Sequence, residues 1–173
     1  MEPLILFLES LTVWHWLTLA VVLRWLRRHR ELLDRGGVIG GNSAGASALA
    51  SFLLRGGTYN GEIIATERAE GFGFLQDVAI DQHLMERGRE NEMFEVLRRE
   101  PHLLGIGLNE GAALVITGDL ASVLGGRVAI YDATDPLSLI PLRWLDPGDV
   151  YDLGGRQVIL DDAGGAPGGP VGP

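Results

Sequence analysis

A serine between closely spaced glycines, in the segment Gly41-Asn42-Ser43-Ala44-Gly45, has the setting best suited to nucleophilic chemistry. This spacing is the G-x-S-x-G pattern of a nucleophile elbow, a sharp strand-to-helix turn that exposes the serine hydroxyl. Glycines two residues before and two residues after the serine leave room for neighbouring backbone. The Ala44 N–H is placed to donate to an oxyanion and so to form an oxyanion hole. The alternative is a glycine-rich turn in which Ser43 only caps the following helix.

A serine hydroxyl needs a base before it can act as a nucleophile. Of the 4 histidines in the chain, His83 is the best placed, because it closely follows a buried strand predicted over residues 78–80. The carboxyl ends of parallel strands meet along one edge of a sheet, so Ser43 and His83 are expected to lie close together. The alternative is a structural histidine with no part in catalysis.

Two carboxylates compete for the role of the acid that orients the base. Glu110 follows a strand predicted over residues 104–108, and Asp81 lies two residues before His83. Because side chains two apart share one face of a strand, Asp81 would lie on the same face as His83 if the strand continues. The residues alone do not decide between the two acids.

Two arginines, Arg87 and Arg89, come soon after the predicted base. Paired arginines suit the binding of a substrate carboxylate, because each guanidinium can donate two parallel hydrogen bonds. The alternative is a solvated start of a helix, with nearby glutamates as partners, and on the residues alone this alternative is favoured. These glutamates are Glu86, Glu90 and Glu92.

The elements that must position these residues alternate between short apolar strands and helices. This alternation predicts an α/β fold with a mainly parallel sheet, and the strands late in the chain predict an antiparallel extension. Gly36-Gly37 is expected to end a helix. Helices are predicted over residues 23–33, 44–54 and 86–99, and strands over residues 38–39, 78–80, 104–108, 112–117, 127–131, 142–145 and 156–160.

The two ends of the chain differ from the rest in composition. Residues 1–22 form an apolar segment, for which a buried helix and a membrane anchor are the alternatives. Its uncharged part, residues 10–23, is shorter than the roughly 20 residues that a span needs, which favours the buried helix. Arginines follow the apolar run, whereas a secretory signal carries its charges before it. Residues 161–173 are rich in Gly and Pro and are predicted to form a disordered tail.

The composition limits the function classes. With 173 residues, the chain has the size of one domain. Its formal net charge of −9 makes nucleic acid an unexpected partner, because a phosphate backbone would repel the protein. With no cysteine, the chain has no disulfides, zinc–thiolate sites or cysteine nucleophile. We expect no metal, no membrane partner and a cytoplasmic location.

Several segments together resemble the cyanophycinase-type serine peptidases, relatives of the aspartyl dipeptidases. The block Asp81-Gln82-His83 with its spaced arginines is the most specific part of the resemblance, which extends over residues 23–160. The further segments that carry it are Gly36-Gly37-Val38-Ile39-Gly40-Gly41-Asn42-Ser43-Ala44-Gly45-Ala46-Ser47-Ala48, Gly71-Phe72-Gly73-Phe74-Leu75, Leu104-Gly105-Ile106-Gly107-Leu108-Asn109-Glu110, Val128-Ala129-Ile130-Tyr131-Asp132 and Pro147-Gly148-Asp149-Val150-Tyr151-Asp152-Leu153.

The resemblance implies a catalytic triad with Ser43 as nucleophile, His83 as general base and Glu110 as the orienting acid. It also implies an α/β/α sandwich similar to class I glutamine amidotransferases, without a cofactor. Bonds after aspartyl units are the expected substrates, including the β-aspartyl-arginine polymer cyanophycin. The resemblance suggests a homodimer. The implied substrate-binding residues are Asp81, Gln82, Arg87 and Arg89.

The sequence departs from the family pattern at its start. Family members begin with extra strands, a Gly-Gly motif and a substrate-contacting glutamine, and here no glycine precedes Gly36. We therefore expect an N-terminally truncated member that lacks the first strands of the sheet. An impaired remnant or binding domain with the same fold is the alternative function. An ordinary α/β-hydrolase esterase is disfavoured, because there the acid precedes the histidine, whereas Glu110 follows His83.

Overall fold

The structure, a computed structural model, describes residues 13–54, 58–59, 62–63, 70–134 and 142–159. Within these residues it contains three helices: α1 (Val13–Asp34), α2 (Ala44–Leu49) and α3 (Glu92–Arg99). The strands are β1 (Ala50–Phe52), β2 (Thr58–Tyr59), β3 (Glu62–Ile63), β4 (Leu75–Gln82), β5 (Leu104–Leu108), β6 (Ala112–Thr117), β7 (Leu120–Gly125), β8 (Val128–Asp132), β9 (Leu142–Leu145), β10 (Val150–Asp152) and β11 (Gln157–Ile159).

The central sheet has five strands in the order β1-β4-β5-β8-β9. The pairs β1/β4 and β4/β5 are parallel, with Ile80 of β4 opposite Ile106 of β5. The pairs β5/β8 and β8/β9 are antiparallel. A second sheet of four antiparallel strands has the order β11-β10-β7-β6. The predicted α/β class with late antiparallel strands is confirmed, and the central sheet is mixed, parallel only at its start.

The core lies on both faces of the central sheet. One face, with Val78, Ile80 and Ile106, packs against the four-stranded sheet and against Ala46 of α2. The opposite face, with Ala79 and Ala129 among its members, packs against α3. Because strand side chains alternate between faces, neighbours along β4 contribute to different clusters. In α3 the buried residues are Met93, Val96 and Leu97, which is the spacing of one helical face.

Helix α1 ends at the predicted glycine pair. The Gly36 N–H donates to the Leu33 carbonyl and the Gly37 N–H to the Leu32 carbonyl, with Gly36 at φ 80°. This is the Schellman arrangement, for which a left-handed glycine is favoured. The prediction that residues 1–22 form a buried helix is wrong for their described side chains, since Val21 is 67 % and Val22 42 % exposed. Trp25 packs on Phe72, which joins this helix to the loop before β4.

Three predicted elements differ in the structure, each through tertiary context. Residues 38–39 form no strand, and Val38 is 87 % exposed, since no strand pairs with it among the described residues. The helix predicted over 44–54 ends at Leu49, because the following residues pair with β4 as a parallel strand. The helix predicted over 86–99 begins at Glu92, because Gly88 adopts φ 59° within a turn. Sequence reasoning also missed β2, β3, β7 and β10.

The predicted tail of residues 161–173 lies outside the described residues, as do residues 1–12. Within the part that is described, no helix is both long enough and apolar enough to cross a membrane.

Candidate active site

Ser43 lies at a strained turn immediately before α2. Its φ of 51° and ψ of −125° are unfavourable for a residue with a side chain, and such strain is concentrated at functional sites. A Cβ added to Gly41 would overlap the carbonyl of Gly45, so a glycine is required there. At Gly45 an added Cβ would meet nothing within 4 Å. The expectation that both glycines are sterically required is therefore wrong for Gly45.

The Ser43 hydroxyl points toward the residues that follow β4. Its Oγ lies 3.1 Å from Nε2 of His83 and 3.2 Å from Oε1 of Gln82. The same hydroxyl makes no capping hydrogen bond to α2. Ser43 therefore does not serve as a helix cap, and its Oγ lies within hydrogen-bonding distance of two side chains at the end of β4.

His83 follows the last residue of β4 and adopts φ 55°. Strict alternation would place its side chain on the face of Asp81, and the left-handed backbone turns it toward Ser43 instead. The next residue, Leu84, is fully buried and anchors the turn. It occupies the space above Gly107 of β5, where an added Cβ would lie 2.6 Å from Leu84 Cδ2. The sheet thus fixes the position of the imidazole.

Glu110 lies directly beyond β5, next to the other ring nitrogen of His83. Its Oε1 is 3.0 Å from Nδ1 of His83, and its side chain is 63 % exposed. Because a carboxylate accepts a hydrogen bond from Nδ1–H, Nε2 is left as an acceptor for the Ser43 hydroxyl. The three side chains form a continuous chain of hydrogen bonds from hydroxyl to carboxylate.

Two further residues hold the loop of Glu110, and sequence reasoning assigned them no such role. Asn109 accepts from the Met85 N–H at 3.2 Å and donates to the Arg127 carbonyl. Glu86 Oε1 accepts from the backbone N–H of Glu110 at 3.0 Å. These bonds tie the Glu110 loop to the turn after His83. The one signal of this role in the sequence is that Asn109 directly precedes Glu110.

The competing acid, Asp81, is fully buried and lies away from the imidazole. Its Oδ1 accepts from the Gln82 N–H at 2.8 Å and from Arg89 Nη1 at 3.3 Å. Its Oδ2 has no hydrogen-bond partner within the described residues. Burial raises the pKa of Asp81 above its ordinary value, and this outweighs the lowering by its partners. Asp81 and Arg89 thus form an interior ion pair.

The other predicted site residues occupy different surroundings. Gln82 is buried beside Ser43 and lines the cavity described below. Arg87 is exposed on the turn after His83, whose carbonyl accepts from the Arg87 N–H at 3.1 Å. The Ala44 N–H makes no hydrogen bond to another described backbone group, and its place in an oxyanion hole stays a prediction. The substrate-binding role of the arginines and of Asp81 stays a prediction.

A cavity of about 730 Å³ opens beside the Ser43 hydroxyl. Its polar lining consists of Asn42, Ser43, Gln82, His83, Asn109 and Glu110. Most of the remaining lining is aliphatic or aromatic, from α1, α2, the central sheet and β6. No arginine or lysine lies among these lining residues. Across the part of the chain that is described, no group of three or more His, Cys, Asp or Glu residues is arranged to hold a metal ion.

Comparison with known proteins places this geometry in a family. Residues 21–124, more than half of the chain, match Peptidase family S51. The chain belongs to this family. The match includes the elbow, the turn of His83 and the loop of Glu110, so the residues brought together by the fold all lie inside the family region.

Cyanophycinases are among the curated relatives of this S51 chain. It is 33% identical over 150 residues to the cyanophycinase of Synechococcus elongatus, with 76% of this chain and 46% of the relative aligned. It is also 33% identical over 148 residues to the cyanophycinase of Geminocystis herdmanii, with 73% of this chain and 54% of the relative aligned. To the cyanophycinase of Trichormus variabilis it is 34% identical over 148 residues, with 72% of this chain and 49% of the relative aligned. The chain spans about half the length of these relatives.

Proposed function

We propose that this S51 chain is a serine-type hydrolase in which Ser43 is the nucleophile, His83 the general base and Glu110 the acid that orients it. The observation that carries the proposal is the chain of contacts from Ser43 Oγ to His83 Nε2 at 3.1 Å and from His83 Nδ1 to Glu110 Oε1 at 3.0 Å. Both distances are those of ordinary hydrogen bonds. The strained backbone of Ser43 supports a functional reading of the turn.

The reaction has two steps. His83 Nε2 takes the hydroxyl proton as Ser43 Oγ attacks the carbonyl carbon, and the Ala44 N–H donates to the oxygen that becomes negative. The imidazolium then gives its proton to the leaving amine, which completes an acyl-enzyme. In the second step His83 takes a proton from water as the water oxygen bonds to the acyl carbon, and the bond from that carbon to Ser43 Oγ then breaks while the imidazolium returns its proton to Oγ. Glu110 stabilises the imidazolium in both steps.

The substrate class of the proposal is a peptide, and its finer form is a bond next to an aspartyl or β-aspartyl unit. The names of the curated relatives and the Asp81-Gln82-His83 block support it. Arg87 is the nearer candidate for a substrate carboxylate, because it is exposed on the turn that carries His83, whereas Arg89 is buried against Asp81. A guanidinium at the surface can reorient toward an anion without leaving a buried carboxylate unpaired.

A fluorophosphonate probe tests the nucleophile without assuming any substrate. We expect the wild type to be labelled and Ser43→Ala not to be labelled, with His83→Ala labelled more slowly by several orders of magnitude because the triad acts as a unit. Equal labelling of wild type and Ser43→Ala would contradict the proposal. A folded wild type that resists labelling would favour the alternative of a binding domain.

The aspartyl preference has its own test. Arg87→Gln is expected to raise KM for aspartyl peptides by about tenfold, since it removes one charge-assisted contact, while the rate of fluorophosphonate labelling stays the same. Arg98→Gln is the matched control, because Arg98 is 73% exposed on α3 and pairs with Glu95 instead. An unchanged KM for Arg87→Gln would contradict the assigned role of this arginine.

A further inference from the structure

The cavity beside Ser43 is apolar on most of its wall. Leu49 and Phe74, both partly exposed, lie on its wall, whereas the lining residues Ile80 and Ile106 are buried in the core and offer almost no surface. Leu33, from the last turn of α1, also lines it and is 39% exposed. A volume of about 730 Å³ falls in the range of small-molecule sites.

An anionic group has little to bind inside this cavity. Among the lining residues that the structure describes, the charged or titratable side chains are His83 and Glu110, which are engaged with each other, and Arg87 and Arg89 do not line the cavity. A carboxylate placed among aliphatic side chains would lose its hydration without gaining a cation. An alkyl chain, in contrast, gains stability with every methylene that it removes from water.

We propose that this cavity binds an apolar acyl chain and that Ser43 therefore also cleaves esters of medium-length fatty acids. The inference goes beyond the proposed peptidase function and rests on it only through the nucleophilic role of Ser43 and His83. Ser43 Oγ and the apolar wall border the same space, so an ester carbonyl at Ser43 places its acyl chain against Leu49 and Phe74.

Hydrolysis of such an ester needs only water as a co-reactant. Ser43 Oγ bonds to the ester carbonyl carbon while its proton passes to His83 Nε2, and the alkoxide or phenolate leaves with that proton. Water then gives a proton to His83 and its oxygen to the acyl carbon. The bond from the acyl carbon to Oγ breaks, and Ser43 recovers the proton. The products are a fatty acid and an alcohol.

The test measures kcat/KM for p-nitrophenyl esters from acetate to octanoate. We expect about a threefold increase per added methylene, which over the six methylenes between acetate and octanoate amounts to roughly 700-fold. Leu33→Arg should lower the octanoate value by about tenfold and leave the acetate value unchanged. Leu23→Arg is the matched control, since it makes the same change on the same helix at an exposed position outside the cavity.

A second measurement separates failure of the inference from failure of the proposed function. The Ser43→Ala variant is expected to bind octanamide but not acetamide in calorimetry, and Leu33→Arg in the same background should weaken this binding. Equal rates for acetate and octanoate, with fluorophosphonate labelling intact, would overturn the inference and leave the nucleophile standing. Absence of labelling with octanamide still bound would refute the nucleophile but support the apolar site.

The alternative occupant is a second copy of the chain, which would pack against the apolar lining of the cavity. Under that arrangement, the octanoate preference would disappear as the protein concentration rises into the range in which dimers form. Such a loss, measured beside the sedimentation coefficient, would overturn the inference. A preference that is independent of protein concentration supports the acyl site.

Discussion

Replacement of Glu110 by glutamine should slow hydrolysis only moderately. The effect should be far smaller than the loss expected for a triad whose acid is buried. The acid lies 3.0 Å from Nδ1 of His83 but is 63% exposed, while the imidazole is 25% exposed. Glutamine keeps an oxygen that can accept from Nδ1–H, and an exposed side chain can rotate to present it. The tautomer that leaves Nε2 as acceptor is therefore retained, and the loss is mainly that of the negative charge.

The magnitude follows from Coulomb's law. At 3.0 Å, a carboxylate stabilises an imidazolium by about 1.4 kcal/mol in a water-like dielectric and by about 5.5 kcal/mol at an effective dielectric near 20. Exposure of Glu110 places the pair nearer the water-like limit. Since about 1.4 kcal/mol corresponds to a factor of ten, we expect Glu110→Gln to lower kcat/KM by about 10- to 100-fold.

The assay compares kcat/KM and the rate of fluorophosphonate labelling for Glu110→Gln with those of His83→Ala. The control is Glu100→Gln, which alters an exposed glutamate lying 3.7 Å from His102, away from the site. It should leave both rates unchanged. A loss for Glu110→Gln as large as that for His83→Ala would refute the argument from solvent screening. No loss at all would remove Glu110 from the triad.

Two further predictions concern the elbow and the stability of the fold. Gly41→Ala should abolish fluorophosphonate labelling, because the added Cβ would overlap the Gly45 carbonyl. Gly45→Ala should be labelled normally, because its added Cβ would lie in open space. Labelling of both variants would contradict this packing. Burial pushes the pKa of Asp132 up, but hydrogen bonds from Thr134 and Arg156 outweigh it and leave the pKa below its ordinary value of 3.8. The resulting stability is present above pH 3.8 and is lost as the pH falls through the folded-state pKa. Asp132→Asn should therefore lower the free energy of unfolding by about 1 kcal/mol at neutral pH and by less at about pH 3. Urea titration at the two pH values measures this difference. An equal loss of stability at both would contradict the role assigned to the Asp132 charge.

Parts of the fold could be read from local patterns. The glycine pair that ends α1, the strands β5, β6 and β9 and the α/β class follow from apolar runs and turn residues, which act over a few neighbours. The strand predicted over 38–39 failed because a two-residue apolar run becomes a strand only when another backbone pairs with it. The helix predicted over 44–54 failed for the converse reason, because pairing with β4 outweighs the helix propensity of residues 50–52.

The choice between Asp81 and Glu110 shows what the sequence by itself left open. Alternation along β4 would put Asp81 and His83 on one face, and the sequence contains no sign of the left-handed backbone that turns His83 away. That backbone is held by burial of Leu84 over Gly107, a contact between residues distant in the chain.

The sequence alone determined which residue types were available, a serine in an elbow, a histidine after a strand and carboxylates nearby. The tertiary structure alone decided that Glu110 contacts the imidazole, that Asp81 is paired with Arg89, and that the wall next to Ser43 is apolar. The reason is that backbone preferences are local, whereas the approach of side chains depends on how separate strands and turns pack together.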